Sequence, residues 1–107
     1  DVFNVYVSEA GGLGSAARIF AIAEAARLPC IIGSMPELGI GTAAQAHLAF
    51  AMPNLGYASD VNGCVYHSGD VINEKLPIED GYMLLPSGPG LGVSLDEAAL
   101  DEYRIDR

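Results

Sequence analysis

Cations are scarce: five Lys and Arg stand against fourteen Asp and Glu, for a formal net charge of -9. Nucleic-acid affinity rests on clustered cations that displace counterions from phosphates, so no nucleic-acid partner is expected. Tryptophan is absent, and the two cysteines, Cys30 and Cys64, are too few for a disulfide framework. No basic segment followed by an apolar one opens the chain, so a reducing cytoplasm is the expected compartment. Gly, Ser, Asn or a charge interrupts the apolar residues every few positions. No run therefore reaches the roughly 18 residues that cross a bilayer, and a soluble protein with no membrane partner is expected. The chain has no Met at position 1 and opens inside a strand-like segment, which leads us to expect a fragment.

What is present is half hydrophobic over 107 residues, with 13 Gly and 6 Pro. That is material for one compact unit, which at this size buries roughly two-thirds of its unfolded surface. Asp1 to Ser8 is β-branched and aromatic, and Gly11, Gly12 and Gly14 close it, so it reads as a buried strand. Period two puts Phe3, Val5 and Val7 on one face and Asn4, Tyr6 and Ser8 on the other. The Ala-rich stretch from Ser15 to Leu28 reads as a helix with Ser15 as N-cap and Pro29 as stop.

Cys30 to Gly33 is a second short strand, followed by a loop from Ser34 to Gly39. Ile40, Ala43, Ala44, His47, Leu48 and Ala51 then recur on one helical face, which Pro53 ends. Tyr57 to Asp60 reads as a third strand, and strand alternating with helix is the signature of a parallel sheet. Val61 to Glu74 has no clean period. Leu76 to Leu85 reads as a hairpin turning at Glu79-Asp80-Gly81, and Pro86 to Gly92 as a loop. Ser94 to Glu97 has the spacing of a capping box opening a last helix to Tyr103. The chain is thus one partial α/β domain, 1–60 holding the βα units and 61–107 the remainder.

Gly11 to Ala17 fits G-x-G-x-x-A between strand and helix, where a dinucleotide fingerprint would sit. The same residues fit a tight βα turn, and the acid that such a fingerprint needs after the next strand is missing, since Glu37 lies in a loop beyond Pro36. A small Rossmann- or flavodoxin-like anion-binding domain, or a non-catalytic assembly module, are the alternatives that this pattern leaves open. His47, on an apolar helix face, reads as structural, and His67 has no second ligand at metal spacing. Cys30 reads as an inert buried thiol, and Cys64 lacks a base to activate it. The polar strand ends are more informative. In parallel α/β folds the C-terminal ends of the strands form the functional face, which gathers Tyr6, Ser34, Glu37, Asp60 and Asn62 at one mouth. The same residues also suit solvated loop ends.

Four strings stand in register: Glu9-Ala10-Gly11-Gly12-Leu13, Ala21-Ile22-Ala23-Glu24-Ala25-Ala26, Gly33-Ser34-Met35-Pro36-Glu37 running into Ile40-Gly41-Thr42-Ala43-Ala44, and Pro86-Ser87-Gly88-Pro89-Gly90-Leu91-Gly92-Val93. Together they resemble the C-terminal part of the muconate lactonizing enzyme subgroup of the enolase superfamily. The resemblance implies strands six to eight of a modified (β/α) barrel with the tail returning to a cap. It also implies an isomerase or lyase, a cycloisomerase, dehydratase or racemase that removes a proton α to a carboxylate. Mg²⁺ is the implied cofactor, with its ligands and a Lys-x-Lys base upstream of Asp1, so that no metal ligand falls in this chain and the chain alone is inactive. The opposing lysine of the sixth strand aligns with Tyr6, which suits a hydrogen-bond donor or general acid better than a base.

By the same resemblance Asp60 takes the acidic position of strand eight, as a catalytic or substrate-binding group. With Asn62 it forms a pair suited to a substrate ammonium. Ser34, Met35 and Glu37 match a substrate loop. The implied partner is a small carboxylate, of amino-acid type where Asp60 and Asn62 grip it. A severed barrel also exposes strand edges, so a homo-oligomer or dependence on the missing barrel half is expected.

Overall fold

The computed structural model describes residues 1–105. β1 (Phe3–Tyr6), α1 (Leu13–Ala25), β2 (Cys30–Gly33) and α2 (Gly39–Ala51) form two consecutive βα units. β1 and β2 pair in parallel, from Phe3 against Cys30 to Tyr6 against Gly33. β1 is shorter than the expected 1–8, because the chain turns as soon as it leaves Tyr6. The Ala10, Gly11 and Gly12 N–H groups donate back to the Tyr6, Ser8 and Val7 carbonyls. Gly11 and Gly12 hold φ of 86° and 104°, which a side chain would resist.

α1 also differs from expectation at both ends. Gly12, not Ser15, is its N-cap, and the Ser15 hydroxyl instead accepts from Arg18 Nη2 at 2.9 Å. The helix stops at Ala25, before Pro29 is reached. Arg27 takes a left-handed φ of 58°, its N–H donates to the Glu24 carbonyl, and the Leu28 N–H donates to the Ala23 carbonyl. That is a Schellman closure with arginine in the place glycine usually occupies. The buried stripe Ala16, Phe20 and Ala23 packs with Val5, Cys30, Ile32 and Leu48 as the main core.

In α2 the inward face is rotated from the expected one. Ile40 is 37% exposed and Ala51 is exposed, whereas Thr42 and Gln45 are fully buried beside Ala43, Ala46 and Leu48. Both polar residues have hydrogen-bond work inside the molecule, which lets them replace apolar side chains there.

The expected third strand over Tyr57 to Asp60 is not regular. Leu55 bridges Cys30 in parallel, with the Cys30 N–H donating to the Asn54 carbonyl and the Gly56 N–H to the Cys30 carbonyl, both at 2.9 Å. A regular ladder would next pair Ile32 with Gly56 and Ala58. Instead the Ile32 N–H donates to the Ser59 hydroxyl, and the Asp60 N–H donates to the Ile32 carbonyl, each at 2.9 Å. Two residues bulge outward, and Tyr57 is 62% exposed. The chain still runs alongside β2 and still ends at the same edge.

Beyond Val61 a 3₁₀ turn (Gly63–Tyr66) precedes a hairpin of β3 (Ile78–Glu79) and β4 (Tyr82–Met83). Its turn lies at Asp80 and Gly81, with φ of 50° and 82°, as the sequence leads one to expect. α3 (Glu97–Tyr103) is capped by Asp96, whose Oδ1 accepts from the Ala98 and Ala99 N–H groups. The expected Ser94 cap is otherwise engaged, since its N–H and hydroxyl both donate to the Glu74 carboxylate at 2.7 Å. Among the described residues no helix is long and apolar enough to cross a membrane.

Two substitutions test this packing. A Cβ on Gly33 would lie 2.5 Å from the Tyr6 ring and 2.6 Å from Asn4 Oδ1, so Gly33→Ala is expected to destabilise by about 1–3 kcal/mol. Arg27→Gly relieves a left-handed backbone and is expected to stabilise by about 0.5–1 kcal/mol in urea unfolding.

Candidate active site at the strand ends

β1, β2 and the bulged segment deliver their C-terminal ends to one side of the molecule. Tyr6 ends β1 directly opposite Gly33, the end of β2. Its ring lies where a Gly33 side chain would be, and Asn4 Nδ2 donates to the phenol oxygen at 3.3 Å. That donation occupies one lone pair and leaves the phenol O–H free to donate elsewhere.

The loop after β2 is a built structure. The Ser34 hydroxyl and the Met35 N–H both donate to Glu37 Oε2, the latter at 3.1 Å. The Thr42 hydroxyl donates to the Glu37 carbonyl at 3.0 Å and accepts from the Cys64 N–H at 3.2 Å. His67 Nε2 donates to the Pro36 carbonyl at 2.7 Å. The Gly39 N–H, at the start of α2, is shared by both Asp70 carboxylate oxygens at 2.9 Å. Gly63 lies against the loop so closely that its Cβ would meet the Glu37 carbonyl oxygen at 2.5 Å. The segment from Gly63 to Asp70 thus clamps the loop from outside.

Burial alone pushes the Glu37 carboxyl up. The donors from Ser34, its own backbone, Met35 and Gln45 outweigh burial and hold it below the ordinary glutamate value. Its second oxygen, Oε1, is buried and takes no hydrogen bond from the described residues. Glu37 is therefore a charged carboxylate with one oxygen tied down and the other buried without a hydrogen-bond partner among the described residues.

The other candidates reach this end of the fold through the backbone. The Asp60 N–H is fixed on the Ile32 carbonyl, the Asn62 N–H donates to the Asp60 carbonyl at 2.7 Å, and the Asp60 side chain is exposed. Hydrogen bonds join Ser34, Met35 and Glu37 to one another, whereas Tyr6, Asp60 and Asn62 share only the sheet edge with them. The clefts divide them further. Tyr6 lines one of about 350 Å³ with Phe3, Asn4, Glu9 and Ile19, and Asn62 lines another of about 360 Å³ with Tyr57 and Met83. A cavity of about 540 Å³ lies elsewhere, between Cys64 and Leu76.

The remaining chemical candidates are accounted for structurally. His47 Nε2 donates to the Leu91 carbonyl at 3.0 Å and ties the Gly/Pro loop to α2. Burial pushes both thiols up, with the charge of Asp70 adding to it at Cys64, so neither is an activated nucleophile. The glycine turn uses its Ala10, Gly11 and Gly12 amides internally, which removes them from any anion cradle. No three His, Cys, Asp or Glu side chains are grouped to hold a metal among the described residues. Those residues do not fit a Mg²⁺ site, and no chemical step is assigned to the ion. Sequence reasoning missed Asn4, Thr42 and Gln45. For the last two, a signal exists in the i, i+3 spacing of polar residues on an otherwise alanine-rich helix.

A family model described as enolase C-terminal domain-like matches residues 1–99. Muconate cycloisomerase 1-2 of Acinetobacter lwoffii is 37% identical over 106 residues, covering 99% of this chain and 28% of its own length. The N-succinylamino acid racemase of Thermus thermophilus is 40% identical over 95 residues, covering 88% and 26%. The muconate lactonizing enzyme structure from Pseudomonas putida superimposes with a TM-score of 0.90 at 31% identity, covering 95% of this chain and 28% of that one. The chain spans little more than a quarter of these relatives. The fold is the C-terminal portion of an enolase-type barrel, about strands six to eight.

Glu37 carries a pH signature. A carboxyl lowered on folding contributes stability above its unfolded value and loses it as pH falls through its lower folded value. Glu37→Gln is therefore expected to flatten the acid limb of a stability-against-pH curve below about pH 4.3. An acid limb identical to that of the native chain would contradict this environment for Glu37.

Proposed function

We propose, on the premise that the chain belongs to the enolase C-terminal domain-like family, that it supplies substrate-facing strand ends to an enzyme removing a proton α to a carboxylate. The overall reaction is a cycloisomerisation, an elimination or a racemisation, with Tyr6 in place of a second base favouring the first two, and the chain alone is inactive. The observation that carries this reading is the Glu37 carboxylate, held charged in the loop after β2 with Oε1 lacking a hydrogen-bond partner among the described residues. Relatives named as muconate cycloisomerase and as N-succinylamino acid racemase support it. Mg²⁺, in this reading, is held by the rest of the enzyme.

Removing an α-proton moves negative charge onto the substrate carboxylate, so donors placed there lower the barrier. Tyr6 is suited to that task. The Asn4 amide occupies one lone pair of the phenol oxygen and leaves its O–H free to donate. Tyr6 therefore donates, as a hydrogen-bond donor or general acid, where the resembling enzymes place a lysine base. Glu37 Oε1 accepts from a substrate N–H or O–H, with Ser34 and Met35 fixing its partner oxygen. Asp60 and Asn62 contact the far end of the substrate, which favours an amino-acid-like carboxylate. With one base instead of two, exchange of a single enantiomer follows.

The test replaces the matching segment of the Thermus thermophilus N-succinylamino acid racemase with this chain. The graft is expected to exchange the α-proton of one enantiomer with solvent deuterium, and Tyr6→Lys to restore the other by about 100-fold or more. Equal exchange of both enantiomers by the unaltered graft would overturn the role of Tyr6. Unchanged exchange in Tyr6→Phe and Asp60→Asn would assign the segment to assembly. The same reading expects the chain alone to associate, because β1 has a strand partner on one side only among the described residues. Light scattering showing a monodisperse single chain would contradict that.

A further inference from the structure

β1 carries Asn4 and Tyr6 two residues apart, so their side chains stand beside one another on the same face of the strand. Both lean over the end of β2. A Cβ on Gly33 would meet the Tyr6 ring at 2.5 Å and 2.8 Å and Asn4 Oδ1 at 2.6 Å, so the missing side chain at position 33 makes room for the two together. They line one cleft of about 350 Å³. They are also joined, since Asn4 Nδ2 donates to the phenol oxygen at 3.3 Å. Among the described residues no other group is hydrogen-bonded to that oxygen.

The direction of that bond decides what Tyr6 does. A phenol both gives a proton and receives one, whereas each end of a side-chain amide does only one of these. Asn4 turns Oδ1 towards Gly33 and its NH₂ towards Tyr6, so the phenol receives from Asn4 and its own O–H points away from the amide. With the amide reversed, Oδ1 would take the phenol proton and Tyr6 would have none left for a ligand.

We infer that Asn4 is a positioning residue, which holds the Tyr6 phenol in the donor state by occupying its oxygen from one side. The inference rests on reading Tyr6 as a donor of the site, so its first test uses no substrate. Tyr6→Phe keeps the ring and removes only the oxygen. In the chain with labelled asparagine side chains, this variant is expected to move an Asn4 NH₂ proton upfield and to speed its exchange with water, with the Asn54 and Asn73 amides unmoved. An Asn4 NH₂ that ignores the change would overturn the inference. The second test is a double-substitution cycle in the grafted racemase. Asn4→Leu keeps the shape and removes the donor. It is expected to slow α-proton exchange about tenfold with KM nearly unchanged, and to cost nothing further in Tyr6→Phe. A cost that persists in full in Tyr6→Phe would overturn the positioning role. Should Tyr6→Phe alone leave exchange unchanged, the reading of Tyr6 falls, and the amide spectra still decide the Asn4 bond. Should Tyr6→Phe fail to fold, Asn4→Asp decides in its place. A carboxylate of the same shape takes the phenol proton, so exchange is expected to fall further than in Asn4→Leu, and equal exchange in the two would overturn the inference.

Discussion

Gly33 is the point on which the arrangement turns. It ends β2 opposite Tyr6, and any side chain there would collide with the Tyr6 ring and with Asn4. Its carbonyl accepts from the buried Gln45 amide. One residue without a Cβ therefore lets β1 close on β2, seats the phenol, and ties the strand end to α2. The parallel register then carries the chain directly into Ser34 and the Glu37 loop. A shift of that register would separate Tyr6 from the loop and reverse which side chains face the core.

Around this point polar groups do the work that apolar contacts do elsewhere. Thr42 and Gln45 are buried on a helix face that an ordinary core would fill with aliphatic side chains. The Thr42 hydroxyl is held by the Glu37 carbonyl and the Cys64 N–H, and the Gln45 amide donates to the Gly33 carbonyl at the end of β2, which confers a fixed geometry. The segment from Gly63 to Asp70 has little regular structure, yet it closes the loop from outside through Gly63, Cys64, His67 and Asp70. A carboxylate kept charged by such donors, in a chain so poor in cations, is suited to meet a donor from a ligand. Among its described residues the chain groups no three side chains able to hold a metal.

Much of this was legible in the sequence. β-branched runs, alanine-rich helices and glycine turns identify the two βα units, and Asp80-Gly81 identifies the hairpin. What the sequence hid has physical reasons. Arginine seldom adopts a left-handed φ, so nothing in the letters marks Arg27 as the end of α1. Ser94 and Asp96 are both good caps, and only the Glu74 carboxylate, twenty residues earlier, decides between them. A hydroxyl standing in for a carbonyl at Ser59 broke the third strand just after Gly56. Tyr6, Ser34, Glu37 and Asp60 were readable as strand ends, whereas Gln45 was not, because its partner is set by the depth at which α2 lies on β2.

The most direct measurement is a map of ligand contact on these strand ends. In the grafted racemase, with isotope label confined to this segment, amide resonances are followed as an N-succinylamino acid is added. The account predicts that the perturbed amides centre on Tyr6, Ser34, Met35, Glu37, Asp60 and Asn62. Perturbations centred instead on the cavity between Cys64 and Leu76, or absent from the strand ends, would contradict it.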